Sequence, residues 1–307
     1  MRLAIEIGGT KLQAAVGTAD GRIVRLARAE SPAGQGAAAV RDRVAELVEE
    51  VRAAGGDPIE QVGIGFGGPV VRQTGRIVRS HQVSGWEDFD LRAWARGAFG
   101  LPAAVENDSN CAAVAEARLG AGRGAGRVFY MNIGSGIGGG FVVGGRLASG
   151  PLGGEIGHTW VWDASAGRYD KLENLCSGWS IARRAARLAA ADPGGRMLAL
   201  AGGQAERIDA RTVAAAVGEG DAAAGALLDD VGESLAVALA NVAAIVQPEV
   251  IVIGGGVAQM GDVLFRRLAE RFERRVFAPL AGRCRIVPAE LLQENVVVGA
   301  LLLEGDA

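Results

Sequence analysis

An α/β fold of two related lobes is the architecture this sequence predicts, and three observations predict it. Segments with strand and helix periodicity alternate along the chain. Glycine turns stand at the ends of three well-separated apolar strands: after Leu3–Ile7, after Val128–Tyr130 and after Val250–Ile253. The 307 residues exceed the usual size of a single core, and 49% hydrophobic content is ample for two.

The central turn is Met131-Asn-Ile-Gly-Ser-Gly-Ile-Gly-Gly-Gly140, between Val128-Phe129-Tyr130 and Phe141-Val142-Val143. It reads as a hairpin whose glycines expose backbone N–H groups to an anion, because a side chain would keep a phosphate away from the backbone and turns with φ > 0 cost glycine nothing. A glycine-rich hairpin with no ligand is the plainer alternative, since short glycine motifs carry a high false-positive risk. The other two turns, Gly8-Gly9-Thr10-Lys11 and Gly254-Gly255-Gly256-Val257, repeat the pattern. Three such turns suggest two lobes that direct their loops toward one nucleotide.

In chain order, the first strand is followed by a second over Gln13–Val16 and a third over Arg22–Ala27. Gly36–Ala53 is predicted as an amphipathic helix, with Val40, Val44, Leu47, Val48 and Val51 on one face. Gln61–Phe66 is a strand ending in Gly67-Gly68-Pro69, Leu91–Phe99 a short helix, and Ala103–Glu106 a strand. A helix over Cys111–Leu119 follows, with Asp108 or Ser109 able to cap it and Gly120 at its end. Gly150–Gly157 reads as a loop. Helices are expected at Ser177–Ala191, around Ala210–Val217, over the alanine-rich Ala222–Val246, and at Asp262–Phe272. A strand near Arg285–Val287 and a helix over Asn295–Leu303 close the chain.

Composition narrows the partners. The net charge is −3 and no run of Lys or Arg exceeds a pair, so there is no electrostatic footprint for nucleic acid. No stretch of about 18 apolar residues could span a bilayer, and the N-terminus shows no secretory pattern, so no membrane partner and a cytoplasmic location are expected. Cys111, Cys176 and Cys284 are odd in number with no C-x-x-C pairing, which favours buried free thiols.

The motifs together resemble the ROK family (repressors, open reading frames and sugar kinases) of the actin-like ATPase superfamily. Glu6-Ile7-Gly8-Gly9-Thr10-Lys11 resembles its first phosphate motif, Glu106-Asn107-Asp108-Ser109-Asn110 its catalytic segment, and Asn132–Gly140 its second phosphate motif. Glu155-Ile156-Gly157-His158 is similar to the sugar-binding signature, Leu172-Glu173 with Ser177-Gly178 to its second half, and Val250–Gly256 to the adenosine motif. One glycine motif is weak evidence; six in order are strong.

The resemblance implies two actin-like (ribonuclease H-like) lobes, 1–109 plus 295–307 and 110–294, with a nucleotide and sugar cleft between them. It implies ATP-dependent phosphorylation of a hexose, glucokinase-like and directed to the 6-hydroxyl, with an N-acetylhexosamine, mannose or fructose as the alternative acceptor. It also implies a homodimer. Phosphoryl transfer needs a base, donors around the phosphates and a divalent ion. Asp108, beyond a strand end and at a helix start where the dipole favours its charge, is the candidate base. Asn107, Asp108, Glu155, His158 and Glu173 are carried over as sugar ligands. Gly68 and Ser84 join them as weaker candidates, as do Gly67, Gly85 and Trp86 lining the cleft, although Trp86 could equally be core. Gly8, Gly9, Thr10, Lys11, Gly134, Ser135, Gly136, Gly254, Gly255 and Gly256 are the expected ATP and phosphate contacts. His81 reads as structural.

Two departures from the family pattern qualify the expectation. Many members place Asp where this chain has Glu6; the carboxylate near Mg2+ is kept, reaching it directly or through water, but on a side chain one methylene longer. Most members hold a structural zinc with the His158-equivalent histidine and a C-x-C-G-x-x-G-C run. Here Trp160–Lys171 contains no cysteine and Cys176 lies beyond Glu173. No structural zinc is expected, with Trp160, Trp162 and Tyr169 packing in its place. The repressor branch needs a winged helix-turn-helix ahead of the first phosphate strand, and that strand begins at Leu3. A sugar-binding protein or ATPase without transfer activity is the remaining alternative of another class.

Overall fold

The computed structural model describes residues 1–53, 55–80, 82–148, 150 and 152–304. His81 lies outside them. The first unit opens with β1 (Arg2–Ile7), β2 (Lys11–Gly17) and β3 (Ile23–Glu30), then α1 (Gly36–Ala53) and β4 (Gln61–Phe66). A small sheet of β5 (Val70–Val71), β6 (Arg76–Ile77) and β7 (Phe89–Asp90) precedes α2 (Leu91–Phe99), β8 (Ala103–Asn107) and α3 (Asp108–Arg118). Next come β9 (Arg127–Ile133), β10 (Ile137–Val143) and β11 (Arg146–Leu147), followed by β12 (Trp160–Asp163) and β13 (Arg168–Lys171). Helices α4 (Leu172–Cys176), α5 (Gly178–Ala191), α6 (Arg196–Leu200), α7 (Ala210–Gly218) and α8 (Ala222–Val246) lead to β14 (Val250–Gly254), α9 (Asp262–Arg275), β15 (Arg285–Pro288) and α10 (Asn295–Leu302).

Two compact units result: residues 1–124, 140–154 and 291–307 form one, and residues 125–139 and 155–290 the other. The first therefore extends past Ser109 to include α3, which packs on α10. Its sheet has the order β3-β2-β1-β4-β8, with β1, β4 and β8 parallel. Strand alternation assigns β1 to two cores. Leu3, Ile5 and Ile7 face Val40, Val44, Leu47, Val48 and Val51 of α1, whereas Ala4, beside Ala15, faces Val297, Ala300 and Leu301 of α10. A sheet covered on both faces has no polar side to spare, which is why Leu-Ala-Ile-Glu-Ile is buried throughout.

In the second unit, β14 is buried along its length between β9 and β15 and runs parallel to both. Helix α8 packs on α9, and Val161 of β12 is buried. The hairpin β12–β13 pairs Trp160 with Lys171 and Trp162 with Tyr169. This corrects the expected aromatic packing: Trp162 and Tyr169 meet edge-on at 5.2 Å, but Trp160, Trp162 and Tyr169 stay 63%, 53% and 64% exposed. Backbone pairing and the inward Val161 hold the segment instead. Among the described residues no helix is long and apolar enough to cross a membrane.

Candidate functional site

In the first unit, the candidate residues collect at the carboxyl ends of β1, β4 and β8, where parallel α/β sheets place their ligands. Asn107 ends β8 and its side chain accepts from the amides of Ser109 at 2.9 Å and Asn110 at 3.2 Å. Helix α3 is therefore capped by Asn107 and begins at Asp108, not at Cys111 with Asp108 or Ser109 as cap. Asp108 occupies the first turn, where the helix dipole favours its negative charge. One of its oxygens accepts from Ser109 N at 2.7 Å. The other faces Gly67: a methyl group there would come within 3.4 Å of it.

Gly67 donates to the carbonyl of Ile7 at 2.8 Å, which joins the end of β4 to the first glycine turn. The carbonyl of Gly68 accepts from Asn107 Nδ2 at 3.1 Å, so Gly68 orients Asn107. Glu6 sits below the turn with its carboxylate 3.1 Å from Lys11 Nζ and bonded to Gln13 Nε2. Burial pushes the Glu6 carboxyl above its ordinary range, against the pull of Lys11 and with some further push from Asp108. Lys11 Nζ also donates to the Gln293 carbonyl at 3.1 Å.

Glu106, behind Asp108, accepts from Asn110 Nδ2 at 3.0 Å and from its neighbour's amide, Asn107 N, at 2.9 Å, with Arg72 at 3.4 Å. Burial raises its carboxyl as well. Gln13 escaped the sequence reading, and Glu106 entered it only as part of the catalytic segment with no role of its own. The register of the first hairpin, which sets Gln13 opposite Glu6, was the signal for the former. Ser84 is exposed, and its carbonyl accepts from Ala37 N at 2.9 Å. Trp86 is core: it is buried against Phe66 at 5.0 Å and Phe89 at 5.3 Å, because an indole of that size has an apolar pocket there to fill.

In the second unit, three motifs converge. The turn after β9 closes with Gly134 N donating to Gly136 O at 2.9 Å, and Gly178 N donates to Gly134 O at 2.8 Å. Glu173, in the first turn of α4, accepts from Ile137 N at 2.7 Å. A Cβ on Gly136 would lie 2.6 Å from that carboxylate, and one on Gly255 would lie 2.5 Å from the Ile133 carbonyl. The glycines are thus needed chiefly for close approach. Gly255 does have φ +88°, but Gly8, Gly9, Gly134 and Gly136 do not enter the left-handed region, contrary to the turn conformation expected for them. Gly254 to Gly256 stand at the end of β14 against this same turn, with Asn132 between them.

Glu155 precedes and His158 ends a short 3-10 turn, Ile156–His158, in which His158 N donates to Glu155 O at 3.0 Å. Gly157 lies on Ile137 with no room for a Cβ, which would fall 2.2 Å from the Ile137 carbonyl. His158 Nε2 is 4.0 Å from a Glu155 oxygen. Burial raises the Glu155 carboxyl, His158 pulls it down and the nearby Glu173 charge pushes it up. One imidazole and two carboxylates, those of Glu155 and Glu173, are therefore gathered at this turn.

The residues do not fit a structural zinc. Lys171 Nζ stands 3.1 Å from His158 Nδ1. Cys176 is buried, its thiol directed to the Val231 carbonyl and pushed up to about 12 by burial, so it is no thiolate donor. Among the described residues no cluster of three or more His, Cys, Asp or Glu is placed to hold a metal ion.

Glycine turns at the ends of β1, β9 and β14 and a carboxylate at the start of α3, set on two α/β units, go with an actin-like fold. The ROK family model matches residues 2–306, and the chain belongs to that family. It is 32% identical to a glucokinase of Halalkalibacterium halodurans, over 97% of this chain and 92% of that protein. It is 33% identical to an N-acetylmannosamine kinase of Escherichia coli, over 98% and 97%. A ROK family glucokinase from Streptomyces griseus in complex with glucose and AMPPNP superposes with a TM-score of 0.84 at 28% identity, covering 98% of this chain and 97% of that one.

Proposed function

We propose that the protein is an ATP-dependent hexose kinase of glucokinase type that transfers the γ-phosphoryl group to a sugar hydroxyl, the 6-hydroxyl by our reading. The observation that carries it is Asp108: a carboxylate held at the start of α3 by a neighbour that does the capping, with its second oxygen beside the first phosphate turn. As the sugar oxygen bonds to the γ-phosphorus, the bond to the β,γ-bridging oxygen breaks and ADP departs. Asp108 accepts the hydroxyl proton. Asn107, Glu155, His158 and Glu173 orient the sugar, with Gly68 and Ser84 at its margin. The backbone of Gly8, Gly9, Thr10 and Lys11 and of Gly134, Ser135 and Gly136 cradles phosphate, and Gly254 to Gly256 accommodate the nucleoside. AMPPNP is an ATP analogue, and its place in the Streptomyces griseus glucokinase supports ATP as donor. Mg2+ would be held through Glu6 and the phosphates and would neutralise charge on them. No zinc is required.

The alternative acceptor is an N-acetylhexosamine, favoured by the 33% identity to an N-acetylmannosamine kinase. Coupled ADP release over glucose, N-acetylmannosamine, N-acetylglucosamine, mannose and fructose decides. Sugar-dependent release that is fastest with glucose is expected. Fastest release with an N-acetylated sugar selects the alternative, and ADP release indifferent to every sugar overturns the kinase reading.

A further inference from the structure

We propose that Lys171 is a positioning residue for sugar recognition: its ammonium fixes the His158 ring as the Nε2–H tautomer, the role a metal ion could fill and that no cysteine here supports. The inference deepens the sugar-kinase reading and rests on it for its kinetic consequence only. Lys171 Nζ lies 3.1 Å from His158 Nδ1. An ammonium group has donors and no acceptor, so Nδ1 must present its lone pair and the imidazole proton must sit on Nε2. A ring nitrogen bonded to zinc would impose the same tautomer, and second-sphere partners of this kind commonly do so for ligating histidines.

The backbones of both partners are held in place. Lys171 ends β13 opposite Trp160, and the next residue, Leu172, donates to the Thr159 carbonyl at 2.9 Å. His158 lies at the end of a turn closed by its own bond to Glu155 O and by Thr159 N to Ile156 O at 3.1 Å. The ammonium is thus delivered by the hairpin that occupies the interval without cysteines.

The consequence lies on the other side of the ring. Nε2 and the Glu155 oxygen are 4.0 Å apart, too far to bond each other well and suitably spaced for one hydroxyl to accept from Nε2–H and donate to the carboxylate. With the proton on Nδ1 instead, that hydroxyl would face two acceptors and could satisfy one. Lys171 therefore selects a donor–acceptor pair matched to a sugar hydroxyl.

The test combines kinetics and nitrogen NMR on Lys171→Met and Lys171→Arg, with the best sugar of the panel. Lys171→Met should raise the KM for sugar about tenfold, the low end of effects seen for residues supporting ligating histidines. Its kcat, KM for ATP and melting temperature should stay close to wild type, and Lys171→Arg, which restores a cationic donor, should recover most of the lost affinity. The chain has two histidines, so ring 15N signals are assignable by difference against His158→Gln. Wild type should show His158 protonated at Nε2 and bare at Nδ1, and Lys171→Met a mixture of tautomers. A wild-type ring protonated at Nδ1, or an unchanged sugar KM in a folded Lys171→Met, overturns the proposal. If no sugar is phosphorylated, the kinase reading fails alone, and the tautomer measurement still decides the role of Lys171.

Discussion

Asn107 caps α3, which leaves the Asp108 carboxylate in the first turn without the capping role its position allowed. The Asn-Asp-Ser-Asn run signalled both a helix start and a base, but which side chain caps depends on where β8 stops, and β8 runs one residue further than the apolar pattern, through Asn107. Asn107 takes two helix amides, leaving Asp108 to face Gly67. Lys171 was not legible as a functional residue, because its meaning comes from a hairpin partner and not from any motif. Glu155 carries a pH prediction. Its folded carboxyl is raised by burial from the ordinary 4.5, so on acidification it takes up a proton at a pH above that value. In the proposed site the ionised form accepts from the sugar, so the sugar KM should climb as pH falls into that range. Glu155→Gln should have weaker binding at neutral pH and no such climb. A wild-type KM flat down to pH 4.5 would remove Glu155 from the sugar contacts.

Elements with strong periodicity were legible nearly to the residue. α1, α2, α8 and β4 have the bounds their apolar spacing and flanking glycines indicate. The β12–β13 hairpin was missed although its Trp-Val-Trp-Asp alternates. Here the large aromatics point outward and the single valine inward, so the usual link between size and burial fails. Packing between elements was less visible still. Gly63 and Gly299 let α10 lie against β4 and α3: a Cβ on Gly63 would meet the Ala300 carbonyl at 2.0 Å, and one on Gly299 the Cys111 carbonyl at 1.9 Å. These are backbone atoms that cannot swing aside. Gly299→Ala should therefore destabilise the protein at the upper end of the ~1–3 kcal/mol typical of overpacking, read as a lower urea midpoint with unchanged m-value. A midpoint equal to wild type would show that α10 is free to shift.

At the scale of the molecule, one of the three glycine turns, Gly8 to Lys11, belongs to the first unit, and those at Gly134 to Gly136 and Gly254 to Gly256 belong to the second. Their convergence within the second unit, where Gly255 abuts Ile133, could not be read from spacing because it depends on β14 pairing with β9. The hairpin in place of a cysteine run gives a metal prediction. Protein purified without added zinc should contain well under one equivalent, and chelation should leave the melting temperature unchanged. Stoichiometric zinc lost together with stability would contradict it.

The central claim is that Asp108 takes the proton from a sugar hydroxyl during transfer from ATP, and the kcat of Asp108→Asn with the preferred sugar tests it most directly. Because Asn107 does the capping, the variant should fold with a wild-type melting temperature and keep its sugar KM within a few-fold. Its kcat should fall by about 100-fold or more, the loss expected for a positioned base. A folded Asp108→Asn protein turning over within a few-fold of wild type would contradict the account.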